Sequence, residues 1–248
     1  MRGKGPSKFP LFEIGLAPER QASAKTLSPC WARAITGPKE GFSMGEAGDE
    51  ELGTPHEPVP GAHLVRVGLY FYAVVMAAAL IWRVGFYGEP IFFATAVDRA
   101  VGASPVQDLA LGLLVGAAIV IVSFLSVVYT DWGSALAREM AATIGPLGTP
   151  NALLLAFASG LAEEMFFRGA LQPRVGLVAA SLLFACVHFI PRRALLPWTA
   201  FAGIAGFVLG GLFAWTGNLI APVTAHILIN AVNLPLLEHR FARGTDSP

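Results

Sequence analysis

Two adjacent glutamates, Glu163 and Glu164, stand inside the apolar stretch 151–167 of a 248-residue chain. A carboxylate at membrane depth costs several kcal/mol unless it is paired, hydrated or protonated, so two in succession call for a compensating reason. In Glu163-Glu164-Met165-Phe166-Phe167-Arg168 the second carboxylate and the arginine are spaced i and i+4, on one helix face, where they can neutralise one another. Glu163 is rotated by about 100° from that face and is free to point elsewhere. Two further groups follow. In Phe184-Ala185-Cys186-Val187-His188 an aromatic precedes a histidine by one turn, and in His226-Ile227-Leu228-Ile229-Asn230 a histidine and an amide share a face.

Together these residues offer a limited chemistry. A glutamate in a partly hydrated cavity can act as general base toward water, and a histidine can share or relay the proton. The second histidine and the asparagine can donate hydrogen bonds to an oxyanion, or they can complete a metal site. Hydrolysis of a peptide bond by activated water fits this set. A covalent route fits poorly, because no hydroxyl or thiol forms a dyad and Cys186, two residues from His188, faces away from it. Each group also has a plain structural reading: a single intramembrane His or Asn is commonly interhelical glue, Glu164 with Arg168 can be a structural ion pair, and Phe184 can simply pack. The coincidence of all three, with a Glu lacking a local partner, favours chemistry.

The elements that must position these groups are membrane helices. Composition is 54% hydrophobic and 14% charged, against the ~25% charged residues of an ordinary soluble domain. Seventeen basic and seventeen acidic residues cancel, so no global charge points to nucleic acid. Residues 1–60, rich in Gly, Pro and charge, read as a disordered soluble tail without an apolar signal-peptide core. Cys30 in that tail and Cys186 in an apolar run suggest no disulfide framework.

A span needs about 20 apolar residues. Segments 64–82 and 109–129 qualify, with Tyr70, Tyr72 and Trp82 as interfacial aromatics on the first, and four further apolar stretches, 151–172, 177–190, 195–215 and 219–237, bring the expected spans to six. The stretch 91–101, interrupted by Asp98 and Arg99, would be a seventh span if it crosses, and 132–144 reads as a short interfacial helix. The expected fold is an all-α polytopic bundle. Residues 61–150 supply accessory helices and 151–240 carry the polar groups. With six spans both termini share a side, and the positive-inside rule puts Arg192, Arg193, Arg240 and Arg243 in the cytoplasm of a plasma-membrane protein.

Helical arithmetic then brings the groups together. Glu163 and His188 are 25 positions apart, with their midpoint in the break at 173–176. An antiparallel hairpin closing there puts both side chains at equal depth, about 18 Å from the turn. His226 lies about 12 Å along its own helix from Asn218, on the same membrane side as that turn.

At these residues the sequence resembles the CPBP family, the CAAX-protease and bacteriocin-processing intramembrane proteases, also called the Abi family. The pattern Glu-Glu-x-x-x-Arg, Phe-x-x-x-His and His-x-x-x-Asn is met without departure by Glu163-Glu164-x-x-x-Arg168, Phe184-x-x-x-His188 and His226-x-x-x-Asn230. The flanks Arg168-Gly169, the glycine-rich 203–211 helix and 217–222 look similar too. The resemblance implies an all-helical membrane endopeptidase acting on a membrane-anchored or lipidated protein: a prenylated CAAX protein, a bacteriocin leader or a C-terminal anchor signal. Glu163 would activate water with His188, His226 and Asn230 would bind the oxyanion, and Glu164, Arg168 and Phe184 would support them. No cofactor is favoured. The alternative is a divalent metal such as zinc on Glu163, His188 and His226 with a water in the fourth position.

Two other functions compete. An ion- or proton-coupled transporter also buries Glu and His, but such folds show internal repeats with matched broken helices, and the first half of this chain has no counterpart to Glu163 or His226. A non-catalytic membrane scaffold would not need Glu163, His188, His226 and Asn230 together.

Overall fold

The computed structural model describes residues 60–242; the tail expected at 1–60, with Cys30, lies almost wholly outside the described residues. The fold is all-helical. Helix α1 (Pro60–Leu80) continues through a π-helical turn to Phe86, and α2 (Ala96–Val101) is a short turn capped by Thr95. Helices α3 (Pro105–Tyr129) and α4 (Asp131–Ile144) follow, then α5 (Thr149–Glu164), a π stretch Met165–Leu171, and α6 (Gln172–Val187). Helices α7 (Leu196–Thr216) and α8 (Ile220–Leu237) complete the bundle.

Among the described residues five helical runs are long and apolar enough to cross a membrane, so this is an integral, multi-pass membrane protein. One of them, Thr149–Val187, merges two of the six apolar segments into a single run of 39 residues. It is not a rod. Gly176, at φ 82° and ψ 167°, leaves the helical region, a conformation that glycine adopts without a Cβ penalty. Beyond it the chain turns back: Phe167 meets Phe184 with ring centroids 5.0 Å apart, and Leu171 and Ala180 share one buried cluster. Residues 177–187 form a returning arm about 16 Å long. The five runs therefore hold the six expected segments. The 91–101 stretch is not a seventh span, since only Ala96–Val101 is helical and Phe93 bridges to Asn218 in extended form.

The bundle is held by close approaches at small residues. Gly112 and Gly116 of α3 lie against Ala221 and Ala225 of α8, and Gly160 of α5 lies against Ile227 of α8. Without a hydrophobic force between helices in lipid, such backbone proximity is a main source of association. The glycines of α7 pack on α6: Gly203 meets Ala185, Gly206 meets Phe184 and Gly210 meets Leu177. Their carbonyls are used as well. Arg168 Nη2 donates to Gly206 O at 3.0 Å and Gln172 Nε2 to Gly210 O at 2.9 Å, so two side chains one turn apart zip the hairpin to two turns of α7.

Two polar layers close the bundle ends. On the side of the Gly176 turn, Glu89 pairs with Arg83 at 3.0 Å and Arg174 at 2.6 Å, while Asp108 accepts from Asn218 Nδ2 at 2.8 Å. The opposite side carries α4, whose buried face is Gly133, Ala137 and Ala141, so the short helix expected at 132–144 is present. There Glu238 Oε2 accepts the Gly148 N–H at 2.9 Å, tying the end of α8 to the start of α5.

Candidate active site

Glu163 lies about 18 Å along its helix from the turn at Gly176 and about 21 Å from the start of α5, near mid-depth of a ~30 Å hydrocarbon core. The widened π stretch begins at Met165, directly after the glutamate pair, where such departures from α geometry often accompany functional sites. The two carboxylates diverge as their 100° rotation requires.

Glu164 is fully buried and Arg168 is 1% exposed. Arg168 Nη1 donates to Glu164 Oε1 at 3.0 Å, and its guanidinium carbon sits 4.5 Å from the Phe184 ring centroid. The same Glu164 oxygen also faces His226 Nδ1 at 2.8 Å. Glu164 therefore serves two partners, and the second was not legible from spacing. A carboxylate accepts, so the His226 proton sits on Nδ1 and its Nε2 is left toward the cavity.

Glu163 points the other way. Its Oε2 lies 3.6 Å from His188 Nε2 and has no hydrogen-bond partner among the described residues, although it is buried. That separation is too long for a direct hydrogen bond and suits a bridging water. His188 Nδ1 lies 2.8 Å from the Phe184 carbonyl. Because a carbonyl only accepts, Nδ1 carries the proton and Nε2 offers its lone pair toward Glu163. Phe184 stacks on this imidazole with centroids 4.4 Å apart and meets His226 edge-on at 6.1 Å, so one buried ring braces both histidines.

Asn230 Nδ2 donates to Ser159 Oγ at 2.9 Å. Ser159 in turn donates to the Ala156 carbonyl at 3.2 Å, which leaves the serine oxygen as acceptor and the second amide N–H of Asn230 uncommitted. Ser159, 4% exposed, is a site residue that the sequence reading missed. A serine one turn before a buried glutamate was the available signal. Tyr72 is the second omission: expected as an interfacial aromatic, it lines the site cavity instead, while Tyr70 is 76% exposed.

Glu163, His188, His226, Asn230, Ser159 and Tyr72 surround one cavity of about 350 Å³. A larger apolar cavity of about 470 Å³, between α3, α4, α7 and α8, shares Met140, Trp198, Phe201, Asn233 and Leu237 with it. Among the described residues no group of three His, Cys, Asp or Glu side chains lies together as a metal site would require.

Residues 145–232 match the family model of type II CAAX prenyl endopeptidases, Rce1-like. An uncharacterized protein, YpbD of Bacillus subtilis (strain 168), is 46% identical over 85 residues, which cover 34% of this chain and 43% of that protein. The chain thus spans less than half the length of the curated relative it matches. No solved structure matches. The matched residues contain the hairpin, α7 and the first two-thirds of α8, with all of Glu163, Glu164, Arg168, Phe184, His188, His226 and Asn230. Residues 145–232 are a membrane-embedded domain of the Rce1-like CAAX prenyl endopeptidase family, within the CPBP family.

Proposed function

We propose that the chain is an intramembrane endopeptidase that hydrolyses a peptide bond of a membrane-anchored or lipidated protein, using water activated by Glu163 and His188 with no metal. The observation that carries the reading is the approach of Glu163 Oε2 to His188 Nε2 at 3.6 Å on the wall of a mid-depth cavity. Water held between two acceptors is aligned for attack. Glu163 takes one of its protons as the oxygen bonds to the scissile carbonyl carbon. The developing oxyanion then receives the second Nδ2 proton of Asn230 and, in the imidazolium form, the Nε2 proton of His226. Collapse breaks the C–N bond, and the proton on Glu163 passes to the leaving amine.

Glu164 and Arg168 act one step back. Glu164 holds His226 by Nδ1, which directs Nε2 to the cavity. With His226 protonated, two carboxylates meet one guanidinium and one imidazolium, and the buried cluster is neutral. The apolar cavity that continues from the site beside α4 supports a substrate carrying a hydrocarbon chain, as in prenylated CAAX proteins. The α4 face carries Arg138, Arg192, Arg193 and Arg240, which supports a cytoplasmic placement for it and for both described ends.

The substrate need not be identified before the test. Membrane proteomes of cells expressing the wild type, Glu163→Gln or His188→Ala are compared for new protein termini. Termini present with wild type and missing from both variants, at equal membrane insertion, are expected. Termini retained with Glu163→Gln would sink the mechanism, and identical termini with and without the wild-type protein would sink the activity.

A further inference from the structure

His188 stands where regular helix geometry has run out. At φ −91° and ψ 3° it caps α6, and its N–H and that of Phe189 bond three residues back, to Ala185 O at 3.2 Å and Cys186 O at 3.1 Å. With helix on one side only, its direction depends on contacts to other groups. Two come from Phe184, whose carbonyl accepts from Nδ1 and whose ring stacks on the imidazole. The other two come from consecutive residues in the first turn of α7. Thr199 Oγ1 donates to the His188 carbonyl at 3.2 Å, and the Trp198 ring meets the imidazole at 6.0 Å between centroids with planes 61° apart.

Trp198 has a second surface. It lies in the wall of both the catalytic cavity and the larger apolar cavity, and it stacks on Phe201, which also lies in both walls, with centroids 6.0 Å apart and planes at 22°. The two rings are thus part of the boundary between the cavities. Beyond that boundary the wall is made of side chains such as Val127, Leu136 and Ile204, and among the described residues Arg240, resting on Phe124 at 5.1 Å, is the one charged side chain that lines it. A space of about 470 Å³ with such walls suits a hydrocarbon chain, and its continuity with the catalytic cavity suits a chain carried by the molecule being cleaved.

We propose that Trp198 is a positioning residue that couples the apolar cavity to His188: the hydrocarbon chain of the substrate, lying in that cavity, packs on the indole and holds it against the imidazole, while Thr199 fixes the backbone beside it. The inference rests on the hydrolytic reading of Glu163 and His188 and gives the chain a part in turnover. Binding energy from a non-reacting part of a substrate raises kcat when it is spent on orienting the reacting groups. A chain that only anchors the substrate changes KM, whereas a chain that seats Trp198 changes kcat.

The test compares two internally quenched CAAX peptides of one sequence, with the cysteine S-farnesylated or S-methylated, on the full-length protein in vesicles. Wild type turns over the farnesylated peptide with a kcat roughly 10- to 100-fold higher, the scale set by shifting a catalytic group by up to about 1 Å. Trp198→Ala brings that kcat down to the value for the S-methyl peptide and leaves the latter within about threefold of wild type. Ala200→Trp fills the apolar cavity from a position that does not line the catalytic one, and it removes the farnesyl advantage in the same way. Thr199→Val lowers kcat on both peptides, and Thr199→Ser restores it. Equal wild-type kcat on the two peptides, as when the cavity holds a membrane lipid, overturns the coupling, and so does a farnesyl advantage in kcat that persists in Trp198→Ala or in Ala200→Trp. If Trp198→Ala fails to fold, Ala200→Trp decides alone. Wild-type kcat in Thr199→Val overturns the backbone clamp. Activity in Glu163→Gln overturns instead the hydrolytic reading beneath the proposal.

Discussion

Replacing Glu164 by glutamine tests the division of labour between the two glutamates most sharply. Glu164 is fully buried, with Arg168 at 3.0 Å and His226 at 2.8 Å on the same oxygen. Glutamine keeps the shape but removes the charge, which leaves a guanidinium that is 1% exposed with only the Gly206 carbonyl as a firm partner. Breaking a buried pair by removing one member costs about 3–5 kcal/mol, because the surviving charge is left uncompensated. For a protein of this size about 1 kcal/mol moves the unfolding midpoint by roughly 2–4 °C, so a fall of about 6–20 °C is expected. The assay is thermal unfolding in detergent, followed by intrinsic fluorescence and by the monodisperse fraction on gel filtration. Two comparisons isolate the cause. Glu163→Gln should unfold at or above the wild-type temperature, since its Oε2 has no hydrogen-bond partner among the described residues and active-site carboxylates tend to cost stability. Glu164→Gln/Arg168→Met should regain a large part of the loss, because no charge then remains unpaired. An unfolding midpoint for Glu164→Gln within about 2 °C of wild type, on the same scale, would refute the reasoning.

Other consequences follow from the geometry. A Cβ at Gly160 would come within 2.6 Å of the Ile227 side chain and 3.0 Å of its backbone nitrogen. Gly160→Ala should therefore cost about 1–3 kcal/mol in thermal unfolding and, by parting α5 from α8 one turn from Glu164 and His226, lower cleavage of the farnesylated peptide as well. Under the metal-free reading, that cleavage should survive prolonged chelation, and elemental analysis of active protein should find zinc far below one equivalent. Topology is checked in a Cys30→Ser/Cys186→Ser background, where an impermeant thiol reagent added to intact cells should label Ser104→Cys and spare Arg193→Cys; the reverse pattern would invert the proposed orientation.

Much of this architecture is written in local spacing. Glu164 and Arg168 meet because i and i+4 share a helix face, and Glu163 reaches the depth of His188 because both lie equally far from Gly176 on antiparallel arms with the same rise per residue. Those relations need only the helix repeat and the position of a turn, so the sequence by itself determined them, along with the existence of the short helix α4. Spacing carries no information on how a helix is rotated against partners distant in the chain. The swing of His226 onto Glu164 follows from the close approach of Gly160 to Ile227, and the entry of Tyr72 into the cavity follows from the parallel register of α1 on α5, in which Gly68 stands against Leu155 and Trp82 meets Phe166. Ser159 meets Asn230 for the same reason, across 71 positions of sequence. Which polar groups lie near mid-depth was a property of the sequence; which of them touch was decided by tertiary packing, because helix rotation and crossing depend on small-residue contacts that no single helix contains.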